Sequence, residues 1–200
     1  MQPYLSALSR LFKPRPAARD GHRLYAACVA QARRPVFYLD YGVEDAIGAR
    51  FEMLAFHVGL VIERLKAVPA GDPRRDQAQE LSQALFDTFV SALDNTLREQ
   101  GTGDLSVPKK MKRLGEVIYA RMKRWDELWT QGEAERADYV ARTILAGGDE
   151  DEEGASGDPV KAAAFAAYAE KARAALDAAA LLRGEAGWPE PQALEGAEHG

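Results

Sequence analysis

Between Ile47 and Leu65, apolar side chains recur at helical spacing on two sides of one segment, so the chain must bury this helix among several others. At about 100° per residue, Ile47, Phe51, Leu54, Val58, Val61, Ile62 and Leu65 share one broad face, and Met53, Phe56 and Leu60 form a second patch nearly opposite. A helix apolar on two sides is central and packed by neighbours on both. It is expected from about Glu44 to Ala67, where Pro69-Ala70-Gly71-Asp72-Pro73 ends it in a loop.

The rest of the chain supplies such neighbours. Leu24, Ala27, Cys28, Gln31 and Ala32 mark a helix from about Asp20 to Arg34, closed by the restriction that Pro35 places on the residue before it. Val36 to Leu39 has the apolar character of a strand, but no second strand is present to pair with it, so it reads as a buried connector turned at Tyr41-Gly42-Val43. Leu81, Leu85, Phe86, Phe89, Val90, Leu93 and Leu97 then define a helix over about 76–100. It breaks at Gly101-Thr102-Gly103-Asp104-Leu105-Ser106-Val107-Pro108, and the proline sits in the first turn of the next helix, where its missing N–H costs nothing. Met111, Leu114, Val117, Ile118, Met122, Trp125, Leu128 and Trp129 form the stripe of that helix, and a shorter one is expected over 134–145.

The acidic run Asp149 to Glu153 among glycines reads as a disordered linker over 147–158. Asp158-Pro159 is an N-cap followed by a helix-starting proline. An alanine-rich helix follows over 159–183, with Phe165, Tyr168, Ala169, Ala172, Leu176 and Ala180 on one side, and 184–200 reads as a disordered tail. The expected fold is all-α: a mobile basic N-terminus (1–19), one helical bundle domain (20–146), the linker, and the C-terminal helix.

Composition narrows the function classes. A length of 200 residues suits one domain, and a net charge of −5 argues against a generic nucleic-acid binder. The lone Cys28 excludes an internal disulfide, no zinc-ligand cluster is present, and a reducing cytoplasm is the simplest compartment. No apolar run approaches the roughly 20 residues that cross a bilayer. The N-terminus lacks the apolar core of a signal peptide. Its Leu5, Leu8, Leu11 and Phe12 beside Arg10, Lys13 and Arg15 read either as a membrane-surface helix or as a frayed end cut short by Pro14 and Pro16.

Arg50, His57 and Arg64 lie seven apart and form a ridge on the central helix, and Asp87 and Asp94 form another on the next. If the two helices pack antiparallel, these residues face each other as an ion-pair ladder that fixes register. A metal site built from His57, Glu52, Asp87 and Asp94 lacks the Glu-x-x-His spacing of di-metal bundles. Arg121 lies inside an apolar stripe, placed to snorkel, to pair with an acid such as Asp87, or to join a partner surface. Lys109, Lys110, Lys112, Arg113, Lys123 and Arg124 make their helix strongly basic. That face is either simply solvated or an electrostatic contact for RNA, anionic lipid or an acidic protein. No recognition motif points to sequence-specific nucleic-acid binding. Three histidines without serine or acid partners, and a Gly101-x-Gly103 lacking its third glycine and preceding strand, recommend no catalysis and no cofactor.

Several segments together carry a resemblance. They are Tyr25 to Arg33, Phe37-Tyr38, Gly48-Ala49-Arg50-Phe51-Glu52-Met53-Leu54 with His57, Leu85-Phe86-Asp87, Asp94 to Glu99, Gly101 to Lys112, and Tyr119-Ala120-Arg121. In this order, over about Leu24 to Leu145, the chain resembles the ubiquinol–cytochrome c chaperone family. It departs at Ala120, where glycine is expected, and at Asp94-Asn95, where an acidic pair is more usual. The resemblance implies a non-enzymatic, all-helical assembly chaperone that binds newly made cytochrome b during biogenesis of the cytochrome bc complex. It carries no catalytic residues or cofactor. Mitochondrial relatives act with a small partner protein and at the ribosome, so ribosome and membrane surface stand as further expected partners, with a peripheral place at the inner face of the cytoplasmic membrane. A helical RNA- or ribosome-associated binding protein is the rival reading, and a cofactor-binding bundle enzyme the third. Phe37, Tyr38, Phe56 and Leu60 are the expected client-facing residues, as an apolar patch exceeding what a core covers. Lys109, Lys110, Lys112 and Arg113 are the expected electrostatic contact.

Overall fold

The computed structural model describes residues 16–101, 103, 106–146 and 157–194. Among them, helices α1 (Pro16–Ala32), α2 (Pro35–Leu39), α3 (Ile47–Lys66), α4 (Arg75–Glu99), α5 (Val107–Leu128), α6 (Glu133–Thr143), α7 (Pro159–Ala175) and α8 (Ala178–Leu181) follow one another, and no strand occurs among the described residues. α1 packs along α4, α6 along α7, and α3 meets α1, α4, α5 and α8. α3 is the central helix that its two-sided pattern requires: Met53, Phe56, Val58, Leu60, Val61, Ile62 and Leu65 are all buried. Phe51 and Leu54 are half-buried, and Ile47, at the first turn of the helix, is 70 % exposed.

Helix ends follow local chemistry. Pro35 occupies the first turn of α2 after an extended Arg34, so the segment expected as a connector is a five-residue helix. The pre-proline residue ends α1, and the proline's fixed φ starts the next helix. Arg75 donates to the carbonyls of Lys66 and Val68 and closes the free end of α3. α4 ends at Gly101, whose φ of +76° lies in the left-handed region open to glycine. Asp158 caps α7 by accepting from the Val160 and Lys161 amides.

The alanine-rich helix is shorter than the pattern suggests. At Leu176 the backbone turns extended, Asp177 caps the new helix α8 through the Ala180 amide, and Arg64 donates to the freed Leu176 carbonyl at 3.2 Å. Gly21 sets the approach of α1 to α4, since a Cβ there would lie 2.9 Å from the Ala84 carbonyl carbon.

Two further expectations are corrected. Residues 16–19, placed in a mobile N-terminus, form the first turn of α1. Residues 184–194, expected as disordered tail, pack back on the bundle. The Trp188 ring lies 5.0 Å from His57, the Pro189 carbonyl accepts from Gln31 at 3.1 Å, Glu190 pairs with Arg34, and the Leu194 amide donates to Asp40 at 3.2 Å. Residues 1–15, linker residues 147–156 and tail residues 195–200 lie outside the described residues.

The core is aromatic. Phe37 is fully buried, with the rings of Tyr41, His57, Phe165 and Tyr168 between 4.9 and 5.8 Å away. A polar chain threads it: Gln31 donates to the Tyr168 hydroxyl at 2.9 Å, Tyr168 donates to His57 Nε2 at 2.9 Å, and His57 Nδ1 donates to the Met53 carbonyl at 2.7 Å. Each member thereby finds the partner that burial demands. Burial also lowers the His57 pKa to about 4, so the imidazole is neutral near pH 7.

Candidate functional site

On the side of α3 away from Phe37, α4 and α5 do not close together, and a groove of about 440 Å³ opens between them. α3 supplies its floor with Ala55, Phe56, Gly59 and Leu60. Phe86 stands on the α4 wall, with Met122, Trp125 and Trp129 on the α5 wall. Glu63, Lys66, Lys123 and Asp126 edge it, so an apolar trough is bordered by charges of both signs. Helical periodicity explains the walls. Met122, Trp125 and Trp129 recur at three and four residues, and α5 turns this face toward α3.

The aromatic wall is held rigidly. Trp125 stacks on Trp129 with centroids 5.1 Å apart and lies 4.9 Å from Phe56. The Arg173 guanidinium sits 4.9 Å from the Trp129 ring and bonds Glu63 at 2.8 Å, a cation–π contact that ties α7 to the groove edge. At the groove's end Arg121 meets Glu52 in a bidentate pair, with its Nε 3.0 and 3.1 Å from the two carboxylate oxygens. Both side chains are nearly out of solvent, at 13 % and 6 % exposure. Such a pair fixes helix register more than it adds stability, and loss of one partner costs about 3–5 kcal/mol. Desolvation beside the groove, then the charge of Glu63, raises the Asp126 pKa from its ordinary value.

The structure divides the expected client-facing residues. Phe37 lies wholly in the aromatic core, and Tyr38 is half-buried and donates to the Ala32 carbonyl at 2.9 Å. Neither forms an exposed patch. Phe56 and Leu60 are also buried, at 4 % and 3 % exposure, but they line the groove floor. The helices around α3 cover more of its second patch than the sequence suggests and leave one trough. Lys109, Lys110, Lys112 and Arg113 are exposed on α5, away from this floor.

The expected ion-pair ladder does not form. Arg50 pairs with Asp45 at 2.6 Å in solvent, His57 is neutral in the core, Arg64 bonds the Leu176 carbonyl, Asp87 accepts from Gln83 at 2.7 Å, and Asp94 pairs with Arg98 at 2.7 Å. α3 and α4 meet through apolar residues such as Phe51 and Phe89. The two aspartates face outward and find partners one turn away on their own helix, at no desolvation cost. The cross-helix pair is Glu52–Arg121. Its signal in the sequence was two charges on apolar faces, Glu52 one turn before Phe56, and Arg121 one turn from Val117, Ile118 and Trp125. Among the described residues no cluster of three His, Cys, Asp or Glu side chains could hold a metal ion, and none of their helices is long and apolar enough to cross a membrane.

Likeness to known proteins bears on the same frame. No curated protein sequence matches the chain. The crystal structure of the Cbp3 homolog from Brucella abortus matches it with a TM-score of 0.69 and 28% sequence identity, covering 93% of this chain and 96% of that one. The family model of the ubiquinol–cytochrome c chaperones matches residues 39–188, a span that contains α3, α4, α5 and the groove between them. The chain belongs to the ubiquinol–cytochrome c chaperone family.

Proposed function

We propose that this chaperone of cytochrome bc complex assembly binds newly synthesised cytochrome b, and that the groove between α4 and α5 receives an apolar helix of this client. The observation that carries the reading is the groove itself, a trough of about 440 Å³ with Phe56, Leu60, Phe86, Met122, Trp125 and Trp129 on its walls and floor. Its size falls in the range of ligand-binding clefts, roughly 300–1,000 Å³. Its shape, one helix below and one on each side, suits a further helix laid along α3 with anchors at i, i+3, i+4 and i+7. The client's chemistry fits. A membrane helix outside the bilayer exposes a continuous apolar surface, and covering part of it with aromatic and methionine side chains removes that area from water. The mixed charges at the edge keep the empty groove soluble and can meet the polar ends of a membrane segment.

A photoreactive residue placed at Met122 in the full chain, expressed in cells making the bc complex, tests the reading. Cytochrome b is expected in the cross-linked product, whereas the same residue at Lys171, exposed on α7, yields none. Cross-links to cytochrome b from Lys171 and none from Met122 would place the client elsewhere.

A further inference from the structure

We infer that residues 4–12 of this chain occupy the groove between α4 and α5, as a helix, while no client is bound there. Occupancy of this kind rests on the proposed role of the groove as a receptor for an apolar helix. At about 100° per residue, Tyr4, Leu5, Leu8, Leu11 and Phe12 fall within about one third of a helix circumference, with Arg10 on the opposite face. Leu5, Leu8 and Phe12 stand at i, i+3 and i+7, the spacing with which helices anchor in grooves. Pro3 suits a first helical turn. Nine helical residues span about 14 Å. The trough runs along α3 from Ala55 to Lys66, about 17 Å at 1.5 Å per residue, so the segment fits its length.

The chain can reach it. Pro16, where α1 begins, lines the neighbouring cleft between α1 and α4, and Gln83 of α4 borders both the cleft and the groove. One helix therefore separates Pro16 from the trough. Its diameter of about 10 Å matches the roughly 10 Å that residues 13–15 span when extended. Pro14 and Pro16 bias Lys13 and Arg15 toward that extended backbone. The levels agree as well. Gly21 lies against Ala84 and Tyr25 beside Phe89, so α1 runs parallel to α4 and starts near its first turns. Arg75 at the Lys66 carbonyl puts those turns at the Glu63 end of the groove. Charge favours entry there. Exposed Glu80 borders the path over α4. Glu63 keeps Oε2 out of solvent without a hydrogen-bond partner, although Arg173 holds its Oε1. Desolvation and then Glu63 raise the Asp126 pKa despite Lys66 and Arg173 nearby. That end thus retains uncompensated negative charge, and Lys13 and Arg15 follow the apolar face of the segment directly.

Photo-cross-linking of the purified full chain, with no client present, tests the inference. A photoreactive residue at Met122 is expected to link to residues 4–12 of the same chain, read by mass spectrometry of the digested monomer. One at Thr88, in the cleft between α1 and α4, is expected not to. Leu8→Glu combined with Phe12→Glu should lower the internal product at least about tenfold, since it sets charge against an apolar trough, with the bundle still folded by circular dichroism. Ser6→Glu, on the polar face of the segment, should leave the product within about twofold, as a surface change does. The inference is overturned by linkage from Thr88 in place of Met122, by products that join two chains only, or by equal losses in the two variants. Because cytochrome b is absent, such a failure leaves the client reading standing. That reading fails separately, when cells yield no cytochrome b linked through Met122.

Discussion

On one side of α3 the core is closed: Phe37 has four rings around it, and Gln31, Tyr168, His57 and the Met53 carbonyl are hydrogen-bonded in sequence. On the other side α4 and α5 stand apart over Phe56 and Leu60, and α5 leaves the bundle with its apolar stripe half covered. The same central helix thus serves as a closed core on one face and an open trough on the other. The contrast separates two tasks. The closed side, tied down by the segment around Trp188, holds the fold, and the open side is left to take up apolar surface from outside. Stability should therefore respond to changes on the first side and client binding to changes on the second.

The largest expected effect is on the closed side. Phe37→Ala removes a fully buried ring from the aromatic cluster and should cost about 3–5 kcal/mol, read from the shift in urea midpoint at unchanged slope. A loss below about 1 kcal/mol, the size of a surface substitution, would show that this core does not hold the fold.

The next effect is an acid dependence. Folded His57 stays neutral down to about pH 4, whereas unfolded histidine protonates near 6.5. Between those values the unfolded chain binds the extra proton, so this contribution is complete above about pH 6.5 and falls away as pH drops toward 4, on the order of 3 kcal/mol in all. Urea unfolding across pH 4–7 should show the slope, and His57→Gln should flatten it. Identical slopes in the two proteins would mean that His57 is not held neutral.

Much of this molecule was legible in its sequence because periodicity reports which residues face inward. The two-sided pattern of Met53, Phe56, Leu60 and Val58, Val61, Leu65 identified a central helix, and Asp158-Pro159 marked the start of α7. What periodicity does not report is which neighbour arrives and where it stops. Phe56 and Leu60 read as surplus apolar surface, yet whether a helix covers them depends on the spread of α4 and α5, a tertiary quantity. The ladder of Arg50 and Arg64 with Asp87 and Asp94 assumed that like spacing means facing ridges, while solvent and nearer partners cost those charges less. The segment around Trp188 has no period at all. Its place is set by single long-range contacts to His57, Gln31 and Asp40. Pro35 carried a readable signal, since a proline that ends one helix can open another.

The central claim, that the open face of α3 is where the client binds, is tested most directly by Met122→Lys. Glu63 and Asp126 edge the same groove and can partner the new ammonium, so the fold should lose no more than about 1 kcal/mol, a Tm shift of roughly 2–4 °C. Co-purification of cytochrome b from cells making the bc complex should fall at least about tenfold, because a buried charge in the trough opposes an apolar helix. Undiminished cytochrome b with a Met122→Lys chain that folds normally would contradict the account.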